Sequence, residues 1–282
     1  MSDTNNSLIN LGNNKVVEEA YKDILSSPGK KIGEALGTIM NIGNTLLWPV
    51  KWANEKTRIY FENNLKKYED KLSQIENDKI IEVPTEISMP ILERFTYVSN
   101  EEISNAFVKL LASASNIDTI QYAHPSFIQI IDRMSPDEAQ IMKHFSKNSA
   151  VPYITFSKYS LKRKKAEDLL EKENSPSLNT SEFVTVFKKF NYISENTTLI
   201  FPKNISLYLE NLISLGLMRD VPDQVYTKFN DDYNKMEIQL WTEFSNAFED
   251  IPENLKINSK RFDQGMFELT DFGRLFITAC LE

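Results

Sequence analysis

The side chains of this sequence best suited to chemistry are two histidines, His124 and His144, one cysteine, Cys280, and adjacent carboxylates such as Glu101-Glu102, Asp137-Glu138 and Asp231-Asp232. A histidine could serve as a general base, a thiolate as a nucleophile, and paired carboxylates could hold magnesium for a nuclease, provided the fold gathers them into one pocket. Their spacing argues otherwise. The histidines stand 20 residues apart in different elements, and the sequence contains no GxxxxGK[ST] phosphate loop, no GxSxG elbow and no HExxH. His124 precedes Pro125, as a turn histidine bonding local backbone would, and His144 between Lys143 and Lys147 reads as a surface residue. Cys280 lies among Phe276, Ile277 and Leu281, the setting of an inert buried thiol. Glu101-Glu102 and Asp137-Glu138 stand where helices begin, which by itself favours acidic residues. No catalytic, cofactor-binding or metal-ligating residue is therefore assigned, and the chain is expected not to be an enzyme.

Charge addresses nucleic acid next. The 282 residues carry 32 Lys and Arg against 40 Asp and Glu, a net charge of -8, and the two parts on either side of Met134 carry -4 each. Phosphate neutralisation normally needs a basic domain, and neither part is one. The dense cluster Lys162-Arg163-Lys164-Lys165 runs straight into Glu167, Asp168, Glu171 and Glu173, the pattern of a solvated helix face. Nucleic acid is disfavoured as a partner.

One segment resists a purely structural account. Residues 35–50 are 16 uncharged residues in a row, and Gly33, Gly37 and Gly43 punctuate the stretch from Ile32 to Ala53. A helix of that length spans ~24 Å, short of a ~30 Å hydrocarbon core, so it is not a transmembrane span. Yet glycine costs ~1 kcal/mol relative to alanine in a helix interior, and three such residues call for a reason. Close helix packing is one; an interfacial helix with Ile39, Ile42, Leu46, Leu47, Trp48 and Trp52 as its apolar side, and Lys30, Lys31 and Lys51 at its ends, is the other.

Elements must hold these residues in place, and most are helices. Phe61, Leu65, Tyr68, Leu72 and Ile75 alternate in steps of four and three, an amphipathic helix over about Asn54 to Ile75. A second helix starts near Glu86 or Pro90. Ser99-Asn100-Glu101-Glu102 has the form of a capping box, and Ile103, Ala106, Phe107, Leu110, Leu111 and Ala114 follow as one buried stripe, expected to pack on the helix of Ile141, Met142 and Phe145. His124-Pro125 leads into a short apolar helix, and Ser135-Pro136-Asp137-Glu138 repeats the start signal. Val151 to Phe156 reads as a strand followed by a polar helix and a loop at Asn174 to Ser177, Phe183 to Tyr192 as strand or helix, and Pro202 to Leu215 as a helix that Gly216 ends. A helix near Tyr233 to Phe248 comes next. The last pieces, Lys256 to Phe262 and Met266 to Leu269, flank Asp263-Gln264-Gly265 and read as a two-stranded ribbon before a helix opened by Thr270.

The fold class expected is mainly α: a mobile arm over 1–31, a helical region over 32–132, and a winged-helix-like region with insertions and a small β-ribbon over 133–282. In a winged helix Leu207 to Met218 would be the recognition helix. Its outward side chains include Glu210, Asn211 and Ser214, with no Arg or Lys before Arg219, which suits a protein contact better than guanine or phosphate.

The blocks NAFVKLLASASN (Asn105 to Asn116), HPSFIQIIDRMSPDEAQIM (His124 to Met142), LYLENLISLGLM (Leu207 to Met218) and FELTDFGRLFITAC (Phe267 to Cys280) resemble the Abi-alpha family, from about Ile32 to the C-terminus. That resemblance implies a bacterial or prophage-borne protein of abortive infection, in which an infected cell stops growing or dies before phage is released. It brings no catalytic residues. The expectation is a non-enzymatic phage-defence protein with a conditionally membrane-active N-terminal segment, with a winged-helix DNA-binding regulator or a metal-dependent nuclease as alternatives. Its expected partners are another protein, a second copy of itself or a membrane surface. The single cysteine and the polar first residues, without a basic and apolar leader, place it in the cytoplasm or at the inner face of the membrane.

Overall fold

The computed structural model describes residues 31–39, 55–161, 181–224, 226–244 and 260–282. In chain order the elements are α1 (31–39), α2 (Glu55–Leu72), α3 (Thr85–Phe95), α4 (Glu101–Ala114), α5 (Ser126–Asp132), α6 (Pro136–Lys147), β1 (Ala150–Leu161), β2 (Ser181–Phe190), α7 (Ile193–Asn196), α8 (Ile205–Ser214), β3 (Met218–Pro222), α9 (Asn230–Phe244), β4 (Lys260–Leu269) and α10 (Asp271–Cys280). The chain is mainly helical with one small antiparallel sheet. It divides into two compact units, one running to Lys143 and taking in Arg274–Glu282, the other His144–Gly273. Residues 1–30 of the expected arm, residues 40–52 of the glycine-bearing segment, and the basic cluster with its polar helix and loop over 162–177 lie outside the described residues.

The first unit is built on the two amphipathic stripes. Phe61, Leu65, Tyr68 and Leu72 of α2 are buried, as are Ala106, Phe107, Leu110, Leu111 and Ala114 of α4. The α4 stripe was expected against α6; its main partner is α2, with α3 and α5 completing the enclosure. Polar atoms explain that choice. Asn64, buried on α2, donates to the carbonyls of Phe95 (3.1 Å) and Val98 (3.3 Å) and accepts from Ser104 of α4. Tyr68 donates to Ser115 Oγ (2.6 Å), which donates in turn to the Leu111 carbonyl (2.7 Å). Such fully satisfied buried bonds fix which helix faces which, where apolar stripes alone would accept several partners. Arg94 of α3 reaches Asp132 of α5 at 2.8 Å, Ser113 donates to the Ala279 carbonyl of α10 (3.0 Å), and Phe127 meets Phe276 edge to face at 5.4 Å.

Helix starts follow the sequence signals with one shift. Ser135 Oγ accepts from Glu138 N–H (3.3 Å) while the Glu138 carboxylate accepts from Ser135 N–H (2.6 Å), a closed capping box. At α4 the cap is Asn100, one residue later than expected, accepting from Ile103 N–H at 3.2 Å. Glu102 turns instead to Lys143.

In the second unit the strand order is β2-β1-β4-β3, antiparallel throughout. Phe183 to Tyr192 proves to be strand for most of its length. The expected terminal ribbon does not form: Lys260 to Leu269 is a single strand running through Asp263-Gln264-Gly265, and the pair beside it is Met218–Pro222 on β3. Gly265 is needed for space, not for turning. It pairs with Tyr153 of β1, and a Cβ there would lie 2.5 Å from the Tyr153 ring. Pro152 tolerates its central strand because β2 begins pairing with β1 only at Ile154. One sheet face carries Ile154 and Phe156 under Tyr233, Met236 and Leu240 of α9.

Among the described residues no helix is long and apolar enough to cross a membrane.

Candidate functional site

The side chains first singled out for chemistry do not converge. His124 Nδ1 bonds Ser126 Oγ (2.7 Å) and accepts its N–H (3.1 Å), the turn role expected. His144 is half-buried, against the expectation of a surface residue; burial, then Lys147, lowers its imidazole below the usual range. Cys280 is buried at 1% exposure, and burial pushes its thiol well above the ordinary value, so the thiolate that would react is disfavoured. Asp137 and Glu138 are buried in the capping turn, and Asp231 and Asp232 occupy the first turn of α9. Among the described residues no group of three or more His, Cys, Asp or Glu could hold a metal ion.

Of the glycine-bearing segment, 31–39 is helical and its apolar side is covered: Ile32, Gly33, Leu36, Gly37 and Ile39 are all buried. Ile42, Gly43, Leu46, Leu47, Trp48 and Trp52 lie outside the described residues.

The expected contact helix is α8. Tyr208, Leu209 and Leu212 are buried beneath it, Glu210 and Ser214 are exposed, and Asn211 is half-buried. Ser214 Oγ donates to the Asn211 carbonyl at 2.8 Å. Leu207 was not singled out, yet it is 63% exposed on this helix, with Phe201 exposed just before it. The first cation after α8, Arg219, is held by Glu268 at 2.8 Å. The exposed side chains of α8 are Ser206, Leu207, Glu210 and Ser214, with no cation among them.

Behind α8 stands a network that no sequence spacing revealed, because its members come from three strands. Tyr153 of β1 donates to Asp220 Oδ1 of β3 (2.6 Å), and Lys189 of β2 pairs with the other carboxylate oxygen. Burial, then the bond to Asp220, raises the Tyr153 phenol. The Lys189 ammonium also lies 5.8 Å from the ring centroids of Tyr153 and Phe267. Lys189 adopts φ 55 at the point where the β1–β2 register shifts, and its N–H is held by Thr155 Oγ1 at 3.2 Å. A bulge thus turns the lysine towards Asp220. With both carboxylate oxygens engaged, the group is a charge-compensated buttress and not a poised base.

At the end of α8, Gly216 takes φ 74 and closes the helix. Thr270 Oγ1 donates to the Gly216 carbonyl (2.6 Å) and accepts from Gly273 N–H (2.9 Å), and a Cβ on Gly273 would fall 2.0 Å from the Leu217 carbonyl oxygen. Leu-Gly-Leu and Leu-Thr-Asp-Phe-Gly, more than 50 residues apart, are therefore two halves of one clasp. They lie in two of the four blocks by which the sequence resembles a family, and a family model described as abortive infection alpha matches residues 58–280. The chain belongs to the abortive infection alpha family. No curated protein matches the chain. A solved structure of an uncharacterized protein from the hydrocarbon-degrading marine bacterium Alcanivorax borkumensis SK2 is similar over 54% of this chain and 90% of its own, at 16% identity and a TM-score of 0.31. In this member of the abortive infection alpha family, then, the matched region includes the clasp, the buttress and α8, and begins after the glycine-bearing segment.

Proposed function

We propose that the protein acts in phage defence by abortive infection, through contacts and not through catalysis. Family membership supports the setting. The observation that supports the mode is the covered apolar side of α1, where Ile32, Leu36 and Ile39 are buried beside Gly33 and Gly37. A sheltered segment of this kind keeps a resting protein in solution. A trigger that releases it would present Ile39, Ile42, Leu46, Leu47 and Trp48 to a bilayer, with Lys30 and Lys51 each favouring anionic lipid by ~1 kcal/mol near the surface. The net charge of -8 opposes spontaneous binding, as a triggered effector requires. The exposed Leu207, Glu210 and Ser214 of α8 would supply the protein contact that senses the trigger.

The test is phage plating and liposome leakage with the parent and with Ile42→Glu. Loss of protection and of leakage in a folded variant is the expected result; protection that survives without any leakage would make the segment packing material.

A second reading, a winged-helix DNA-binding regulator, draws support from the order α6, β1, α7, α8, β3, β4 once β2 and α9 are taken as insertions, and from β1, β4 and β3 being neighbours in the sheet order β2-β1-β4-β3. The outward side chains of α8 and the Arg219–Glu268 pair weigh against it. Submicromolar gel-shift affinity that falls steeply with salt would favour it over the first reading.

A further inference from the structure

The first unit contains a cleft of about 410 Å³ lined by four lysines and four carboxylates. Lys67 and Lys71 enter it from α2, Lys109 from α4 and Lys143 from α6, and all four are half-buried. Their partners differ. Lys143 is neutralised by Glu102, and Lys67 is held by Asn105 Oδ1 (3.1 Å) and Ser104 Oγ (3.4 Å), both uncharged. Lys71 and Lys109 have no ion pair among the described residues, although Asp70, Glu101 and Glu282 line the same cleft from exposed positions at its rim. Burial first, and then Lys71, lower the ammonium of Lys109. Glu282 offsets this only in part. Two like charges brought together and partly dehydrated, with no carboxylate bonded to either, are unfavourable in the empty protein, and an anion between them relieves both costs. Ala106, Val108, Cys280 and Leu281 add an apolar wall. The volume suits a small molecule, since ligand sites run from roughly 300 to 1,000 Å³.

We propose that this cleft binds a small soluble phosphate monoester, with Lys71 and Lys109 gripping the phosphate, Lys67 supporting them, and the organic part against Val108 and Leu281. Lysine suits the task because its ammonium acts as a mobile point charge towards phosphate oxygens. Half-burial of the lysines within a cleft favours a soluble ligand over a lipid headgroup, which would approach a surface.

Calorimetric titration of the full chain with phenyl phosphate, inorganic phosphate and phosphatidate vesicles tests this. Phenyl phosphate is expected to bind at least tenfold more tightly than inorganic phosphate and than the vesicles, and Lys71→Gln or Lys109→Gln to weaken it at least tenfold at a melting temperature, without ligand, no lower than the parent's. As a check on the unaltered chain, phenyl phosphate should slow acetylation of Lys71 and Lys109, followed by mass spectrometry, at least threefold relative to Lys56. Equal weak binding of all three probes, no loss in the variants, or no protection of the two lysines would overturn the proposal, and tighter binding of the vesicles would assign the phosphate chemistry to a lipid instead.

Discussion

The ring of Tyr153 lies across the sheet on Gly265, its register partner on β4, where a Cβ would approach the ring's Cζ to 2.5 Å. The glycine leaves room for the ring, and the ring carries its hydroxyl on to Asp220. On the carbonyl side Gly265 accepts from Tyr233 of α9 at 3.0 Å, so one small residue joins the buttress behind α8 to the opposite sheet face.

Gly265→Ala should therefore destabilise the protein by ~1 to 3 kcal/mol, the usual cost of forcing a methyl into a filled space. Urea unfolding of the double variant with Tyr153→Leu provides the check: most of the penalty should vanish once the ring is gone. A penalty that persists in full would place its origin in the backbone.

Leu110, fully buried on α4, should cost ~2 to 5 kcal/mol when truncated to alanine. The loss should appear as a lower denaturation midpoint with unchanged slope. A cost below 1 kcal/mol would mean that the α2–α4 packing collapses to fill the void.

Leu207→Asp should leave stability within ~0.5 kcal/mol, because the side chain is 63% exposed, and yet abolish phage protection. Plating efficiency and melting temperature, measured on the same variant, separate the two effects. Full protection would remove α8 from the proposed contact.

Tyr68 links alkaline stability to α2. Burial raises its phenol above the ordinary value, with the Ser115 bond partly offsetting this, so the folded protein favours the neutral form. The unfolded chain releases that proton first, near pH 10. The contribution is thus complete below pH ~10 and is lost as pH rises beyond it. Urea midpoints at pH 8, 9.5 and 10.5 should fall less steeply for Tyr68→Phe than for the parent, although the variant starts ~1 kcal/mol lower for want of the hydrogen bond. Parallel slopes would mean that another group controls the alkaline limb.

Local signals determined the helices. The stripes of α2 and α4, the Ser135–Glu138 box and the Gly216 cap depend on residues within three or four positions of one another, so their spacing was readable in the sequence. The same holds for the turn role of His124 and the burial of Cys280. Decisions between distant segments belonged to tertiary structure. Asp263-Gln264-Gly265 has the composition of a turn, and pairing with β1 on one side and, from Gly265 onward, with β3 on the other makes it a strand. An apolar stripe states that α4 is buried without saying by what, and Asn64 and Tyr68 settled that through bonds made 40 and 47 residues away. The four lysines of the cleft sit in three helices and look like ordinary solvated charges in sequence. Lys189, Asp220 and Tyr153 meet through strand order and a bulge, for neither of which the sequence carries a local mark, because cross-strand pairing is fixed by the energy of the whole sheet.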